Sequence, residues 1–149
     1  MYHTATELAQ IGNHSDKQTG AVSAPIYLST TYSHPELGQS TGYDYTRTKN
    51  PTRTILEDAL AKLEAGSQGI VTSSGMSAIQ LVFNYFPAKS EFLVSRDLYG
   101  GSYRYFKELE RQNSSRFHYF DDFDSLKKQL NEKIDAVFLE TPTNPLMQD

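Results

Sequence analysis

The sequence predicts an α/β fold in which a mainly parallel sheet carries helices on both faces. Short apolar runs at residues 92–95, 117–120 and 136–140 are typical of buried strands. Segments with helical periodicity separate these runs, and such alternation favours parallel pairing with right-handed crossovers. At 149 residues, the chain is long enough for one domain with its own hydrophobic core.

Composition excludes several classes of function. A formal net charge of −4 argues against non-specific binding to nucleic acid or to an anionic membrane. The chain has no Cys, which excludes disulfides, thiolate metal sites and a Cys nucleophile. Its first residues lack the pattern of a secretory signal, and no stretch reaches the ~20 apolar residues of a membrane helix. We therefore expect a soluble cytoplasmic protein, with a core that relies on its 10 Tyr and 8 Phe.

Residues 1–50 differ from the rest of the chain. They show little helical periodicity after Ile11 and are rich in Thr, Ser, Gly, Tyr and His. Residues 22–32 have an extended pattern that is too apolar for a free tail. We therefore predict an arm that another surface covers. The four His residues show no spacing typical of metal ligands, so no metal site is predicted.

A helix is predicted directly after this arm. Asn50 can act as its N-cap, Pro51 suits its first position, and Gly66 stands where a C-cap is expected. One face of this helix is apolar, with Leu56, Ala59, Leu60 and Leu63.

Residues 70–85 read as a strand at 70–73, a tight turn around Gly75 and a helix over 76–85. The first turn of such a helix presents free N–H groups and partial positive charge, which suit a phosphate. An ordinary connection in which Ser residues cap the helix is the alternative, and the local pattern alone favours it.

The second half of the chain continues the alternation. A helix is predicted over 103–112, and Asp121 or Asp122 opens another that carries Phe123, Leu126 and Leu130. Polar turns at 73–77, 95–102 and 141–145 then fall at the carboxyl ends of strands. Ligands of open parallel sheets bind beyond those ends.

Three segments have residues suited to binding a ligand. In extended backbone, Tyr45 and Arg47 would present a phenol and a planar guanidinium on one side, which suits a phosphate. Tyr99 stands beside two Gly residues that permit close approach of a ligand, and Asn144 ends the last strand in extended backbone that the neighbouring Pro residues restrict. The alternatives are a solvated Arg, a packed Tyr and an ordinary turn Asn.

Together these segments resemble the pyridoxal-phosphate enzymes of the Cys/Met transsulfuration family. Residues 41–45 look most like the branch of cystathionine γ-synthases and O-acetylhomoserine sulfhydrylases. The matching segments, in order, are Thr19-Gly20-Ala21-Val22, Pro25-Ile26-Tyr27, Ser29-Thr30-Thr31-Tyr32, Tyr45-Thr46-Arg47, Asn50-Pro51-Thr52, Ser73-Ser74-Gly75-Met76-Ser77-Ala78-Ile79, Asp97-Leu98-Tyr99-Gly100-Gly101 and Glu140-Thr141-Pro142-Thr143-Asn144-Pro145.

The resemblance implies pyridoxal 5′-phosphate as the cofactor and assigns residues to it. The N–H groups of Gly75 and Met76 would hold its phosphate, with a hydroxyl from Ser74 or Ser77. Tyr99 would stack on the pyridine ring and take part in proton transfer as a catalytic residue. A hydrogen bond from the side chain of Asn144 would reach the phenolic oxygen of the cofactor.

The resemblance also implies a function for the arm, residues 1–50. Tyr45, as a second catalytic residue, and Arg47 would reach the phosphate of a neighbouring subunit's cofactor. Residues 1–50 would then be an arm on that subunit, and 51–149 the first part of an incomplete large domain of a fold-type I enzyme. The implied assembly is a homotetramer formed as a dimer of dimers, without nucleic-acid or membrane partners.

The implied activity is γ-replacement on an acylated homoserine, with cysteine or sulfide as the second substrate and cystathionine or homocysteine as product. A cystathionine γ- or β-lyase is the alternative. Gly101 argues against a methionine γ-lyase, which carries Cys at that place. The family's Schiff-base Lys and its Asp partner of the pyridinium nitrogen have no matching motif in residues 1–149. We therefore expect a fragment that is inactive by itself, a non-catalytic module.

Overall fold

The computed structural model describes residues 3–147 and divides the chain into two compact units, one up to Val71 and one from Thr72 onward. The first unit contains α1 (Thr4–Ala9) and α2 (Pro51–Leu63). The second unit contains α3 (Gly75–Tyr85), β1 (Ser90–Ser95), α4 (Gly100–Arg111), β2 (Ser115–Phe120), α5 (Phe123–Gln129) and β3 (Ala136–Phe138). No helix among these is long and apolar enough to cross a membrane.

Helix α2 confirms the prediction at its start and corrects it at its end. The Asn50 side chain accepts a hydrogen bond from the Thr52 N–H, and Pro51 occupies the first helical position. The helix ends earlier than a Gly66 cap requires. Ala65 takes the left-handed conformation with φ of 52°, and Gly66 only donates its N–H to the carbonyl of Ala61.

Much of the apolar surface of the first unit is exposed. Leu56 and Leu60 on α2 are exposed by 44% and 42%, and Leu28 in the arm by 89%. The arm has little regular structure between α1 and α2, apart from an isolated antiparallel bridge between Thr31 and Tyr45. Hydrogen bonds, more than apolar burial, therefore hold the arm in place.

The second unit is built on a three-stranded sheet with the order β2-β1-β3. Both strand pairs are parallel, as predicted, and Phe92 in β1 stands between Phe117 of β2 and Ala136 of β3. Strand β3 is shorter than the predicted run 136–140, since its pairing ends at Phe138. Beyond that point Glu140 turns to the N-terminus of α4, where it accepts two hydrogen bonds.

Two other predictions need correction. Residues 70–73 form no strand, since a strand needs a neighbouring backbone to pair with, and the Val71 N–H donates to the side chain of Glu57 instead. Helix α4 begins at Gly100, three residues before its predicted start. Because the Glu140 carboxylate accepts hydrogen bonds at that end, the helix extends through two Gly residues that would otherwise disfavour it.

Aromatic side chains dominate the core of the second unit, as the composition predicts. Phe106 of α4 stacks on Phe117 with ring centres 4.5 Å apart, and Phe92 stacks on Phe117 at 5.3 Å. Phe83 of α3 meets Phe106 at 4.7 Å. Phe92 and Phe106 are completely buried, so the sheet and the helices α3 and α4 share one core.

Asp122 rather than Asp121 caps α5. Its carboxylate accepts the Ser125 N–H at 2.7 Å, and the Ser125 hydroxyl lies 3.0 Å from the Asp122 N–H, so that a capping box closes the helix start. Hydrogen bonds that the Asp122 carboxylate accepts from Ser125, first from its N–H and then from its side chain, lower the pKa of Asp122 below its ordinary value.

Candidate functional site

The N-terminus of α3 has the features of a cap and of an anion site at the same time. Ser74 is the N-cap, and its hydroxyl accepts the Ser77 N–H at 3.1 Å. Within residues 3–147, the N–H groups of Gly75 and Met76 have no acceptor. A Cβ built at Gly75 would meet nothing within 4 Å, so the space in front of this turn is open. The capping Ser thus leaves two donors for an anion.

Tyr99 lies at the carboxyl end of β1, directly before α4. It is the N-cap residue of α4, but its own side chain makes no capping hydrogen bond. Its N–H donates to Oε2 of Glu140 at 2.9 Å, and the residue is 45% exposed. The other oxygen of Glu140 accepts the hydroxyl of Ser102 at 2.7 Å. The backbone of Tyr99 is therefore held while its phenol remains accessible.

Gly101 permits the position of the Tyr99 ring. A Cβ at Gly101 would stand 2.9 Å from Cδ1 of Tyr99 and 3.0 Å from Sδ of Met76. The first distance is shorter than real Cβ contacts, and the second is tight enough that the sulfur would have to shift, so a side chain at this place would displace the Tyr99 ring or the Met76 side chain. The Tyr99 ring and the side chain of Met76, in the first turn of α3, thus both lie against Gly101.

Asn144 lies in a turn after β3 rather than in extended backbone. Its side chain is exposed and makes no hydrogen bond to any other residue between 3 and 147. Its neighbour Thr143 is 4% exposed and donates its hydroxyl to Oδ2 of Asp97 at 2.7 Å. The peptide bonds that precede Pro142 and Pro145 are cis. The exposure of Asn144 leaves its amide available to a ligand.

In the first unit, the segment with Tyr45 and Arg47 also differs from its predicted backbone. Residues 46–48 form a turn, closed by hydrogen bonds from the N–H groups of Thr48 and Lys49 to the carbonyl of Tyr45. The extended prediction is therefore wrong beyond Tyr45, because the turn hydrogen bonds favour a compact backbone. The guanidinium carbon of Arg47 nevertheless lies 5.2 Å from the centre of the Tyr45 ring.

The hydrogen-bond partners of this turn were missed by sequence reasoning. Asn50 donates its amide hydrogens to the carbonyl of Tyr27 at 3.1 Å and to the hydroxyl of Thr46 at 3.0 Å. Arg53 donates to the carbonyls of Thr46 and Thr48. The sequence gives no signal for these contacts, because Asn50 already serves as a helix cap there.

Glu140 and Asp97 are the other residues that sequence reasoning left without a function. Each stands two positions after the last residue of a strand, β3 and β1 respectively. A carboxylate at the ligand-binding end of a strand was the available signal. No three His, Asp or Glu side chains between residues 3 and 147 are arranged to hold a metal. A groove of ≈ 720 Å³ lies between α1 and α2, away from Tyr45 and Arg47.

A parallel α/β domain with free N–H groups at a helix start belongs to the class of folds that bind phosphorylated cofactors. A model of the Cys/Met metabolism PLP-dependent enzymes matches residues 5–149, so the chain belongs to that family. The cofactor of the family is pyridoxal 5′-phosphate.

Individual relatives agree with this family. The chain is 55% identical to a cystathionine gamma-synthase/O-acetylhomoserine (thiol)-lyase of Bacillus subtilis, over 99% of the chain and 40% of the relative. It is 50% identical to a cystathionine gamma-synthase of Haemophilus influenzae, over 100% of the chain and 41% of the relative. The chain thus spans about 40% of the length of these curated relatives.

Solved structures give the same result for the fold. The crystal structure of cystathionine gamma synthase from Xanthomonas oryzae pv. oryzae in complex with cystathionine matches with a TM-score of 0.89 and 40% identity. That match covers 99% of the chain and 39% of the solved structure. Cystathionine gamma-lyase from yeast matches with a TM-score of 0.83 and 32% identity, over 99% of the chain and 38% of that structure. Synthases and lyases therefore share the fold of this chain.

Proposed function

We propose that the complete protein catalyses γ-replacement on an acylated homoserine and so forms cystathionine from cysteine, or homocysteine from sulfide. The bond between Cγ and the ester oxygen breaks, a bond between Cγ and sulfur forms, the acyl group leaves as a carboxylate, and the thiol loses its proton. The identity of 55% and 50% to relatives named for this chemistry supports the synthase over a lyase.

The structural observation that carries the cofactor part of this proposal is the pair of free N–H groups at Gly75 and Met76 beside the accessible side chain of Tyr99. These donors fit the cofactor phosphate, which Ser74 would approach with its hydroxyl. Tyr99 offers an aromatic face to the pyridine ring, and the exposed amide of Asn144 can donate to the phenolic oxygen. When bound, the cofactor supplies an electron sink for the carbanion that γ-replacement requires.

Residues of this chain then bind, orient and transfer protons. Tyr99 has its backbone held by Glu140, so its phenolic oxygen can hold or release a proton at a fixed place. The guanidinium of Arg47 suits two oxygens of a phosphate, and its contact with the ring of Tyr45 would keep both side chains together. We propose that these two act at the cofactor of a neighbouring subunit.

The assembly forms part of the proposal. Residues 1–50 would dock on a neighbouring subunit, residues 51–149 would begin the large domain, and the protein would be a cytoplasmic homotetramer. The exposure of Ile26 by 76% and Leu28 by 89% supports a surface that a partner covers. Light scattering on the purified complete protein should give the mass of four chains. The mass of one chain would contradict the assembly.

The activity is tested with the protein of the complete reading frame, purified with its cofactor. We expect it to consume O-acylhomoserine and cysteine, or sulfide, and to release the free carboxylate together with cystathionine or homocysteine. Chromatography of the products measures both. Faster release of pyruvate or 2-oxobutyrate from cystathionine than consumption of O-acylhomoserine would show a lyase instead.

We propose in addition that residues 1–149 alone do not catalyse this reaction. None of the Lys residues stands in the Ser-x-Thr-Lys context of the family, so no residue would bind the cofactor covalently. Addition of pyridoxal phosphate to this chain should give no absorption band of a lysine-bound cofactor. A single borohydride-trapped Lys within residues 1–149, found by peptide mass spectrometry, would overturn this point.

A further inference from the structure

Two carboxylates connect the loop after β1 (residues 96–99) to the loop after β3 (residues 139–147), in opposite directions. Strands β1 and β3 are parallel neighbours, so their carboxyl ends lie at the same edge of the sheet. Asp97 follows β1 and accepts the hydroxyl of Thr143, in the segment after β3. Glu140 follows β3 and accepts the Tyr99 N–H and the Ser102 hydroxyl, at the start of α4. Each loop thus donates to the carboxylate of the other.

Each carboxylate has one hydroxyl partner that is buried. Ser102 is completely buried and Thr143 is 4% exposed. A buried hydroxyl that loses its acceptor keeps the full cost of having left water. The two connections therefore resist exchange for solvent more strongly than hydrogen bonds between exposed side chains would.

Glu140 also acts where the helix start is otherwise uncapped. Its carboxylate accepts the backbone N–H of the N-cap residue Tyr99, and negative charge at a helix N-terminus is favourable. Fixing this N–H limits rotation of the Tyr99 backbone, and the ring then packs over Gly101, where no Cβ fits. Both oxygens of Glu140 are occupied by donors of the chain itself.

We propose that Asp97 and Glu140 are positioning residues, which join the loop of Tyr99 to the loop of Asn144 so that the two present the cofactor with one fixed arrangement. This inference rests on the proposed function of Tyr99 and Asn144 at the cofactor. The two carboxylates act through these residues.

The test uses Glu140→Gln in the protein of the complete reading frame. Gln keeps the shape but loses the charge and one acceptor oxygen, so one of the two donors loses its partner. Amide hydrogen exchange should become about tenfold faster in the peptide that spans residues 97–102, as expected from the loss of a hydrogen bond to a charged group. This measurement needs no cofactor.

With the cofactor bound, visible circular dichroism reports its orientation in the site. We expect E140Q to change this spectrum and to lower kcat about tenfold with KM nearly unchanged, because alignment is lost while substrate contacts remain. Asp97→Asn should accelerate exchange in residues 140–146 and change the dichroism in the same direction. Ser102→Ala, which leaves the Tyr99 bond intact, should give a smaller effect and serves if E140Q does not fold.

Asp135→Asn is the matched control. Asp135 accepts the Glu91 N–H at 2.8 Å and so joins the same two strands at their opposite, amino-terminal edge. It should leave the dichroism and kcat unchanged, even where urea unfolding shows a similar loss of stability. If wild-type protein binds no cofactor, the proposed function fails. The exchange rates still test whether the hydrogen bonds of Asp97 and Glu140 hold the two loops in place. Unchanged exchange in both E140Q and S102A would overturn the inference.

Discussion

The turn of Tyr45 and Arg47 and the loops of Tyr99 and Asn144 expose their candidate ligand-binding side chains but are held differently. In the first unit the holding residues are hydrogen-bond donors, the amide of Asn50, which is 7% exposed, and the guanidinium of Arg53, and both donate to an arm of little regular structure. In the second unit the holding residues are carboxylates, placed at the ends of strands over an aromatic core.

This difference indicates which interactions keep each region rigid. The arm buries little apolar surface, so its conformation depends on a few polar contacts that one substitution can remove. The strand ends are positioned by a sheet whose central strand is buried through Phe92, Leu93 and Val94. Their loops can therefore lose a polar contact and keep their place, although with less precision.

Each of the three strands of the described sheet is followed, two residues after its end, by an acidic side chain. Asp97 follows β1, Asp122 follows β2 and Glu140 follows β3. Each carboxylate accepts hydrogen bonds from a helix start or from a neighbouring loop. Helices that follow parallel strands begin at this edge of the sheet, so their free N–H groups lie there. Acidic residues at this edge can accept hydrogen bonds from those groups.

The largest expected effect comes from the core that positions the second region. Phe106→Ala should lower the free energy of unfolding by about 3–5 kcal/mol, because the ring is fully buried against Phe117 and Phe83. Urea denaturation of the complete protein measures it. Tyr85→Ala on α3 is the control, since Tyr85 is 88% exposed, and should change stability by less than about 0.5 kcal/mol. Equal losses in both variants would contradict an aromatic core.

In the arm, we expect the largest effect from removal of the side-chain amide of Asn50. Asn50→Ala should cost about 2 kcal/mol, because it removes a helix cap and leaves the carbonyl of Tyr27 without its donor. Limited proteolysis should then cut the arm faster between residues 27 and 48. Asn50→Asp keeps the capping oxygen but cannot donate. Proteolysis at the wild-type rate in N50D would show that the cap alone matters.

These elements also show which structural features can be predicted from the sequence. Helix α2 was predictable because its cap, Asn50, and Pro51 are adjacent in the sequence. The start of α4 was not, because the carboxylate that supports it, Glu140, is 41 residues away from Tyr99. Likewise, the run 70–73 has the composition of a strand, but pairing depends on a neighbour that no local pattern specifies. The candidate ligand-binding residues could be proposed from sequence motifs, whereas the residues that hold them in place could not.

A smaller effect is expected from moving the Tyr99 ring. Two Gly→Ala variants at the start of α4 distinguish the position of the ring from the stability of the helix. Gly101→Ala should weaken binding of pyridoxal phosphate by about tenfold, or about 1.4 kcal/mol, because the Cβ displaces the ring. Titration followed by absorbance measures this affinity. Gly100→Ala is the control, because its Cβ meets only the flexible end of Arg104 at 3.3 Å. Similar affinities in G101A and G100A would mean that the ring position does not matter to the cofactor.

The smallest expected effect concerns Asp122, whose carboxylate serves a helix start without any ligand-binding loop. Its pKa is lower in the folded protein than in the unfolded chain, chiefly because the Ser125 N–H donates to the charged form. The carboxylate therefore stabilises the fold fully above its unfolded pKa, and this contribution is lost as pH falls through the lower, folded pKa. Asp122→Asn keeps a capping oxygen but does not titrate, so the unfolding midpoint of D122N should fall less between pH 5 and about pH 3 than that of the wild type. Parallel pH profiles of the two proteins would show that the charge of the Asp122 carboxylate does not contribute to stability.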